Sequence, residues 1–393
     1  MDRSKHAGRI CALSIESLTR SGLVAACLAS AGIVGVEKSA SADGLVRCWG
    51  NYGYWFCSQV KQDRPAQCDI PSDLGPCSSV AGSRQHTIAL QSDGIVRCWG
   101  SNGAGQCDTP TDLGPCSSVA GGQEHSMALQ VDGTVRCWGV GVTECWGLDV
   151  GQTAVPADLG PCTSIAAGLW HSIALRSDGT VRCWGSNGVG QCTTPADLGP
   201  SLNVAAGFLN TVAIRSDGIV RCWGLNDHGQ CNTPADLGPC SSVAAGLRHT
   251  VAIRSDGSVR CWGDNQYGKC DTPTDLGTCL SVAAGSDHTI ALQSDGIVRC
   301  WGNNEHGQCH VPADLETCAS VVATCFRSFA IAGPPCRTDL IVDHQVNGAD
   351  IGALLTFWGP VTQGFLPADI NRDGVVNGAD LGYLLNAWGP CPN

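Results

Sequence analysis

The chain has 393 residues, a formal net charge of −12, only 15% charged residues and 51 glycines. That balance excludes a nucleic-acid binder, which needs a basic footprint, and favours a turn-rich β protein over a helical one. The 26 cysteines point to an oxidising compartment.

The N-terminus agrees with export. Arg3, Lys5, Arg9 and Arg20 lead into an apolar run from Leu23 to Val36, and Ala40-Ser41-Ala42 supplies a small-x-small cleavage site. That run is too short to span a bilayer comfortably, and no later segment looks transmembrane. Residues 1–42 are expected to be an export segment, and the mature protein to be secreted or held in the periplasm or cell envelope.

From Asp43 an octet governs the chain. It reads DGLVRCWG at first and then returns six times, with cysteines at Cys48, Cys98, Cys137, Cys183, Cys222, Cys261 and Cys300. The intervals are 50, 39, 46, 39, 39 and 39 residues, a period that means a solenoid, a propeller or an array. The unit from Cys240 shows why a propeller fits. CSSVAAG and HTVAIRSDG alternate apolar and polar residues, and Asp-Gly is a strong hairpin signal. SVRCWG is a third strand, and CDTP is expected to be a short fourth, giving one four-stranded blade per unit.

Both halves of the unit occur seven times, but out of phase. The chain enters the repeat at the third strand and leaves it, between Cys318 and Ile331, after the second. Pairing the two ends would use both leftovers and remove the open edge that a sheet otherwise has to protect. The expected fold is an all-β seven-bladed propeller over 43–333, one blade shared between the chain ends.

The repeated residues read first as structure. Seven tryptophans close the octets (Trp49, Trp99, Trp138, Trp184, Trp223, Trp262 and Trp301), and an aromatic in every unit is a packing residue. His86, His125, His171, His249 and His288 open strand two, where unit four has Asn210 and unit seven is read as Ser328. Spread around a ring they cannot converge on one metal, so hydrogen-bonded structural histidines are expected. Five octet cysteines are followed nine residues later by another: Cys98/Cys107, Cys183/Cys192, Cys222/Cys231, Cys261/Cys270 and Cys300/Cys309. These flank one loop and can bridge. A third set opening strand one, Cys77, Cys116, Cys162, Cys240, Cys279 and Cys318, stays unassigned, and buried thiols are an alternative for many of them. Cys336 and Cys391 could clasp the C-terminal region.

In an up-and-down blade the one–two and three–four loops share a face. The opposite face, of SDG turns and TPADLGPC linkers, is nearly constant along this chain. The first face varies and takes both insertions, with Tyr52, Tyr54, Trp55 and Phe56 in one and Trp146 in the other, beside Trp170, Phe208, Arg248 and Tyr267. Repeat proteins often place insertions on the binding face, and aromatic and Arg residues are the usual hot spots. That face is expected to bind a protein or glycan partner.

The pattern AAGxxHTxALxSDGxVxxWGxNxxGQ resembles the regulator of chromosome condensation (RCC1) repeat, which implies a seven-bladed propeller. The units are as compact as in secreted bacterial members, one of which is a β-lactamase-inhibitory protein. Because the family supports nucleotide exchange, inhibition and scaffolding, its fold leaves function open.

Beyond Gly333 the composition changes. DINRDGVVNGAD has the spacing of an EF-hand-type calcium loop, with Asp369, Asn371, Asp373, Asn377 and Asp380 as side-chain ligands and the Val375 carbonyl between them. A helix with Leu381, Leu384, Leu385 and Trp388 follows. Thirty residues earlier Asp339, Asp343, Asn347 and Asp350 precede an equivalent helix. There Ile341 and His344 replace a ligand and the loop glycine, which weakens that site. Two loop–helix units resemble a type I dockerin over 334–393, implying Ca2+ and a cohesin-like protein partner. Both copies carry Gly-Ala where cellulosomal members carry hydroxyl pairs, so a module that merely anchors is the alternative.

No nucleophile–base set or isolated carboxylate pair stands out, and the repeated Asp belongs to turns. The chain is expected to be a monomeric, non-enzymatic binding scaffold. An enzyme inhibitor or a polysaccharide-degrading component is the alternative.

Overall fold

The computed structural model describes residues 44–50, 68–139, 150–315 and 317–332, and parts of the C-terminal segment between 345 and 390. Among the described residues the strands form seven three-stranded antiparallel sheets and two two-stranded ones. Blades I to VI each take three consecutive strands. Blade V, for example, is Cys240–Ala245 (inner), His249–Arg254 (middle) and Val259–Gly263 (outer). The inner strands contact one another around a closed circle, including that of blade VII against that of blade I.

Blade VII is built from both chain ends. Cys318–Ala323 and Ser328–Ala332 supply its inner and middle strands, and Val46–Trp49 its outer strand. The register is Val46 opposite Ile331, Arg47 opposite Ala330, Cys48 opposite Phe329 and Trp49 opposite Ser328. The expected closure is therefore present, and a ladder that would otherwise stand open is capped.

Among the described residues no fourth strand forms. After the outer strands of blades I and III to VI the chain makes a tight turn instead. In blade I, Asn102 Oδ1 accepts the Cys107 N–H at 2.7 Å, and the Gln106 side chain accepts the Ala104 N–H at 2.8 Å. These local bonds satisfy the polar groups of the segment, so it has no need of a ladder. The Asp-Gly hairpins form as expected, as three-residue loops. Asp93 Oδ1 accepts the Ile95 N–H at 2.9 Å, and Gly94 sits at φ 85°, a left-handed value that only glycine adopts freely.

Adjacent blades are joined by one recurring knot. His86 Nε2 of blade I lies 2.9 Å from Ser126 Oγ of blade II, and that hydroxyl donates to the Gln106 carbonyl of blade I at 2.8 Å. The same carbonyl accepts the Trp138 indole N–H of blade II at 3.0 Å. Because the hydroxyl proton is committed to the carbonyl, the imidazole must be the donor, neutral and protonated on Nε2. The pattern repeats with His125, Ser172 and Gln152, and with His249, Thr289 and the Lys269 carbonyl. The seven tryptophans are 6–8% exposed and pack into the preceding blade, as Trp49 does among the blade VI residues Ile290, Leu292 and Val298. The glycine after the inner strand of blades II, III, V and VI has its cause here too. A Cβ on Gly168, Gly246 or Gly285 would fall on the imidazole three residues later.

The register corrects one assignment. Ser328 pairs with Ala323 as Thr250 pairs with Ala245, so Ser328 holds the hydroxyl position and Arg327 replaces the histidine. His288 Nε2 duly meets Ser328 Oγ at 3.1 Å. The octet Arg also acquires a role. Arg97 pairs with Asp73 of the preceding linker at 2.9 Å, and Arg136, Arg182, Arg221, Arg260 and Arg299 repeat the pair. Arg47 makes the seventh with Asp314, across the chain ends. Such exposed pairs are screened by solvent and contribute little to stability.

The five spaced cysteine pairs are bonded, and Cys48 joins Cys68, with Cα–Cα distances of 4.8–5.4 Å. In blade II the partner position is Thr153, and Cys137 remains a thiol. The unassigned set is buried; Cys116 Sγ, for instance, donates to the Gly114 carbonyl at 3.2 Å. Cys336 and Cys391 lie outside the described residues.

In the C-terminal segment helices α1 (Gly348–Thr356) and α2 (Gly378–Asn386) contact each other. Two short ladders pair Gln345–Val346 with Gly389–Pro390 and Gly359–Pro360 with Val375–Val376.

Two outcomes follow. Trp49→Ala should destabilise as much as Trp223→Ala, about 3–5 kcal/mol in denaturant melts; a near-neutral Trp49→Ala would mean that the N-terminal strand is peripheral. Burial pushes His86, His171 and His249 down to about 3 and His125 and His288 to about 4. The unfolded chain takes up protons below about pH 6.5, whereas the folded chain resists until these lower values. Stability is thus intact above pH 6.5 and falls by about 1.4 kcal/mol per pH unit per histidine between there and pH 4. Denaturant midpoints that stay level from pH 7 to pH 5 would contradict the buried neutral network.

Candidate binding face

The two variable loop sets do share a face. In blades I and III to VI the loop after the outer strand is bonded to the inner–middle loop of the same blade. Ser186 N–H donates to the Trp170 carbonyl at 2.7 Å, and Asp264 N–H to the Arg248 carbonyl at 2.8 Å. Nearer the axis the inner–middle loops bond to each other: Gln123 N–H to Leu169, Leu169 to Phe208, and Phe208 to Gly246, at 3.2–3.3 Å. This backbone belt holds the loops against a scaffold that is itself stitched blade to blade, so side chains projecting from it are pre-positioned.

The predicted contact residues fare differently. Trp170 is buried at 9% exposure among Leu169 and Leu209, with Val150, Val189, Phe208 and Leu225 packed around it. It anchors the loops of blades III and IV and is not presented to a partner, a correction to its expected role. Its apolar neighbours in the adjoining loops give the indole more contact inside than solvent would. Phe208 and Arg248 are half-buried. Tyr267 is 49% exposed and sits at φ 68°, the one non-glycine residue with positive φ among the described residues. Tyr52, Tyr54, Trp55, Phe56 and Trp146 lie outside the described residues.

The loops divide by chemistry. Blades III and IV carry the apolar cluster around Trp170. Blades IV to VI carry Asp227, Asp264, Asp287 and Glu305 together with Arg248 and Lys269. Lys269 occupies the position of Gln106, Gln152, Gln191, Gln230 and Gln308, and its side chain is fully buried. Its Nζ lies 2.9 Å from Asp264 Oδ2 of its own blade and 2.7 Å from Asp287 Oδ1 of the next. The substitution was legible as GK where the sister units read GQ, but only the geometry shows two carboxylates converging on it.

The opposite face is constant in its turns but not featureless. Leu45, Ile95, Val131, Leu202, Ile219, Leu280 and Ile297 stand 44–66% exposed beside the turns and linkers.

In the C-terminal segment Leu354, Val376 and Leu384 are buried, while Leu355, Trp358 and Leu385 are exposed. Asn377 Oδ1 accepts the Ala379 N–H at 2.7 Å, and its amide donates to the Val375 carbonyl at 3.1 Å, so Asn377 caps α2. Asp350 and Asp380 fall in the first turns of α1 and α2. Asp339, Asp343, Asn347, Asp369, Asn371 and Asp373 lie outside the described residues. Among the described residues no three His, Cys, Asp or Glu side chains converge as a metal site, and no helix is long and apolar enough to cross a membrane.

Residues 77–106, 162–191, 203–230, 240–269 and 280–308 match the regulator of chromosome condensation (RCC1) repeat. The search of curated proteins found no match to the sequence. Among solved structures the chain is similar to Prp20p of Saccharomyces cerevisiae, at 18% identity over 80% of this chain and 94% of that one, with a TM-score of 0.61. It is similar also to the CRINKLY WD40 ectodomain of the Arabidopsis thaliana receptor kinase ACR4, at 22% identity over 66% and 94% of the two chains, with a TM-score of 0.52. Human WBSCR16 gives 18% identity over 65% and 86%, with a TM-score of 0.54. At these identities the likeness is one of fold.

Tyr267→Gly should leave stability unchanged or raise it by up to about 1 kcal/mol, since glycine meets no penalty at positive φ. A loss beyond about 1 kcal/mol in a thermal melt would show that the phenol ring is part of the packing.

Proposed function

From a propeller of RCC1 repeats, we propose that this chain is an exported, non-enzymatic scaffold that captures a protein through its variable face. The observation that supports this most is the partition of sequence. Knots, turns and ion pairs repeat from blade to blade, whereas the loops carrying Phe208, Arg248 and Tyr267 differ in every unit while held on one rigid belt. Prp20p is described in terms of its binding to Gsp1p and histones, which supports a protein as the partner class. The six bonded cysteine pairs favour an oxidising destination, in keeping with the export segment.

The C-terminal segment is proposed as a calcium-dependent docking module. The donor set of Asp369, Asn371, Asp373, Asn377, Asp380 and the Val375 carbonyl is all oxygen, which suits Ca2+, and a bound ion would tie the loop to the start of α2. The repeated loop–helix plan and the exposed Leu355, Trp358 and Leu385 favour a cohesin-like protein as its partner.

Two measurements test this. In a cross-linking pull-down from the native secretome, the combined Phe208→Ala, Arg248→Ala and Tyr267→Ala variant should lose the proteins that wild type retains, while circular dichroism shows the ring still folded. Retention of the same proteins would refute the face. Calorimetry on the full chain should show Ca2+ binding that Asp373→Ala weakens at least about tenfold, or by 1.4 kcal/mol; no heat from the wild-type chain would remove the calcium claim.

A further inference from the structure

The junction between blades V and VI carries charge in three places at once, one of them a position that is Gln in the sister units. Where the III/IV junction has Ser186, Gln191 and Leu209, this one has Asp264, Lys269 and Asp287. The neutral version is a complete solution: Gln191 Nε2 donates to Ser186 Oγ at 3.2 Å, and its Oε1 accepts the Val189 N–H at 3.1 Å. Replacing it by a buried ammonium between two carboxylates gains nothing for folding, because the desolvation of such a group offsets its Coulomb attraction. The charged triad also removes the acceptor for the N–H of residue 267, which is where the backbone enters the left-handed region.

Lys269 carries one positive charge against two carboxylates. Both carboxylates remain 17% exposed, held by Nζ bonds of 2.9 and 2.7 Å at the rim of the variable face. Ser286, next to Asp287, is fully buried, and its hydroxyl has no hydrogen-bond partner among the described residues. Asp227 of blade IV and Glu305 of blade VI lie in the neighbouring loops of the same face; Tyr267, two residues before Lys269, is exposed, and the half-buried Phe208 stands one inner–middle loop away, at the edge of the apolar cluster.

Resting on the reading of this face as a protein-binding surface, we propose that Lys269 is a positioning residue. It fixes Asp264 and Asp287 as a carboxylate pair that receives an arginine or lysine of the partner, whose neighbouring aromatic or aliphatic side chain packs toward Phe208. A pair held by a buried ion needs no reordering on binding, and a carboxylate pair suits the planar guanidinium best. The occupant is thus a protein segment with a basic residue beside an apolar one.

The test uses the full chain and phage-displayed random dodecapeptides selected at low salt. The enriched peptides should pair Arg or Lys with an aromatic or aliphatic residue, and should bind less tightly as salt is raised. The variant Asp264→Ser, Lys269→Gln, Asp287→Leu rebuilds the III/IV junction. It should melt at or above the wild-type temperature, yet bind the selected peptides at least about tenfold more weakly. Lys269→Met should weaken peptide binding while an isolated Phe208→Ala leaves the salt dependence intact. Peptides without basic residues that are still lost on Phe208→Ala would overturn the carboxylate-pair proposal and leave the binding face standing. Equal binding to the rebuilt junction would do the same. Selection that yields no peptide for the wild-type face would count against both.

Discussion

A single carbonyl oxygen per blade carries the architecture. The backbone C=O of Gln106, and of its counterparts, receives a hydroxyl and in several blades an indole from the next blade, and the imidazole of its own blade, where one is present, donates to that same hydroxyl. Every participant is buried, so each bond is made in low dielectric and none can be exchanged for water without cost. That explains why His, Ser or Thr and Trp recur together, and why only a glycine or, in blade I, the hydrogen-bonding Ser83 stands against the imidazole. Around this knot the remaining repeated residues have smaller tasks: Asp and Gly turn the hairpin, and Arg meets the Asp of the linker.

A ring needs the knot at every junction, and the seventh is where the chain begins and ends. There the knot with blade VI is complete, with His288 as the imidazole, Ser328 as the hydroxyl, Gln308 as the carbonyl and Trp49 as the aromatic plug, while on the side of blade I Arg327 stands for histidine. Cys48 is bonded to Cys68, which leads into blade I, and so does not fasten the outer strand to the other two strands of blade VII. Closure rests on the four register pairs, on Arg47 with Asp314, and on Val46 packed with Phe329 and Ile331.

Much of this was legible in the sequence because the repeat exposes it. Seven octets and seven complementary half-units imply both the blade number and the shared blade. The structural reading of Trp and His follows from their recurrence. What could not be read were features set by three-dimensional register. The segment at Cys107–Pro110 has strand-like residues but satisfies its polar groups locally through Asn102 and Gln106. The histidine of unit seven was misplaced by one residue because only the pairing of Ala323 with Ser328 fixes the frame. Trp170 looked like a contact residue because linear sequence does not show Leu169, Leu209 and Val189 closing over it. The sequence shows Lys269 only as a break in the repeated Gln; its two carboxylate partners, Asp264 of the same blade and Asp287 of the next, are set by the fold. Such breaks in a repeat are informative because the neighbouring units show what folding alone requires.

The claim on which the rest stands is that the N-terminal strand is an integral stave of the ring, as firmly held as any internal outer strand. Native-state hydrogen exchange measures this directly. Amides of Val46–Trp49 that pair in blade VII should be protected to the same degree as those of Val181–Gly185 in blade III. Exchange of the N-terminal strand at the rate of an open loop, with blade III still protected, would contradict the closed ring.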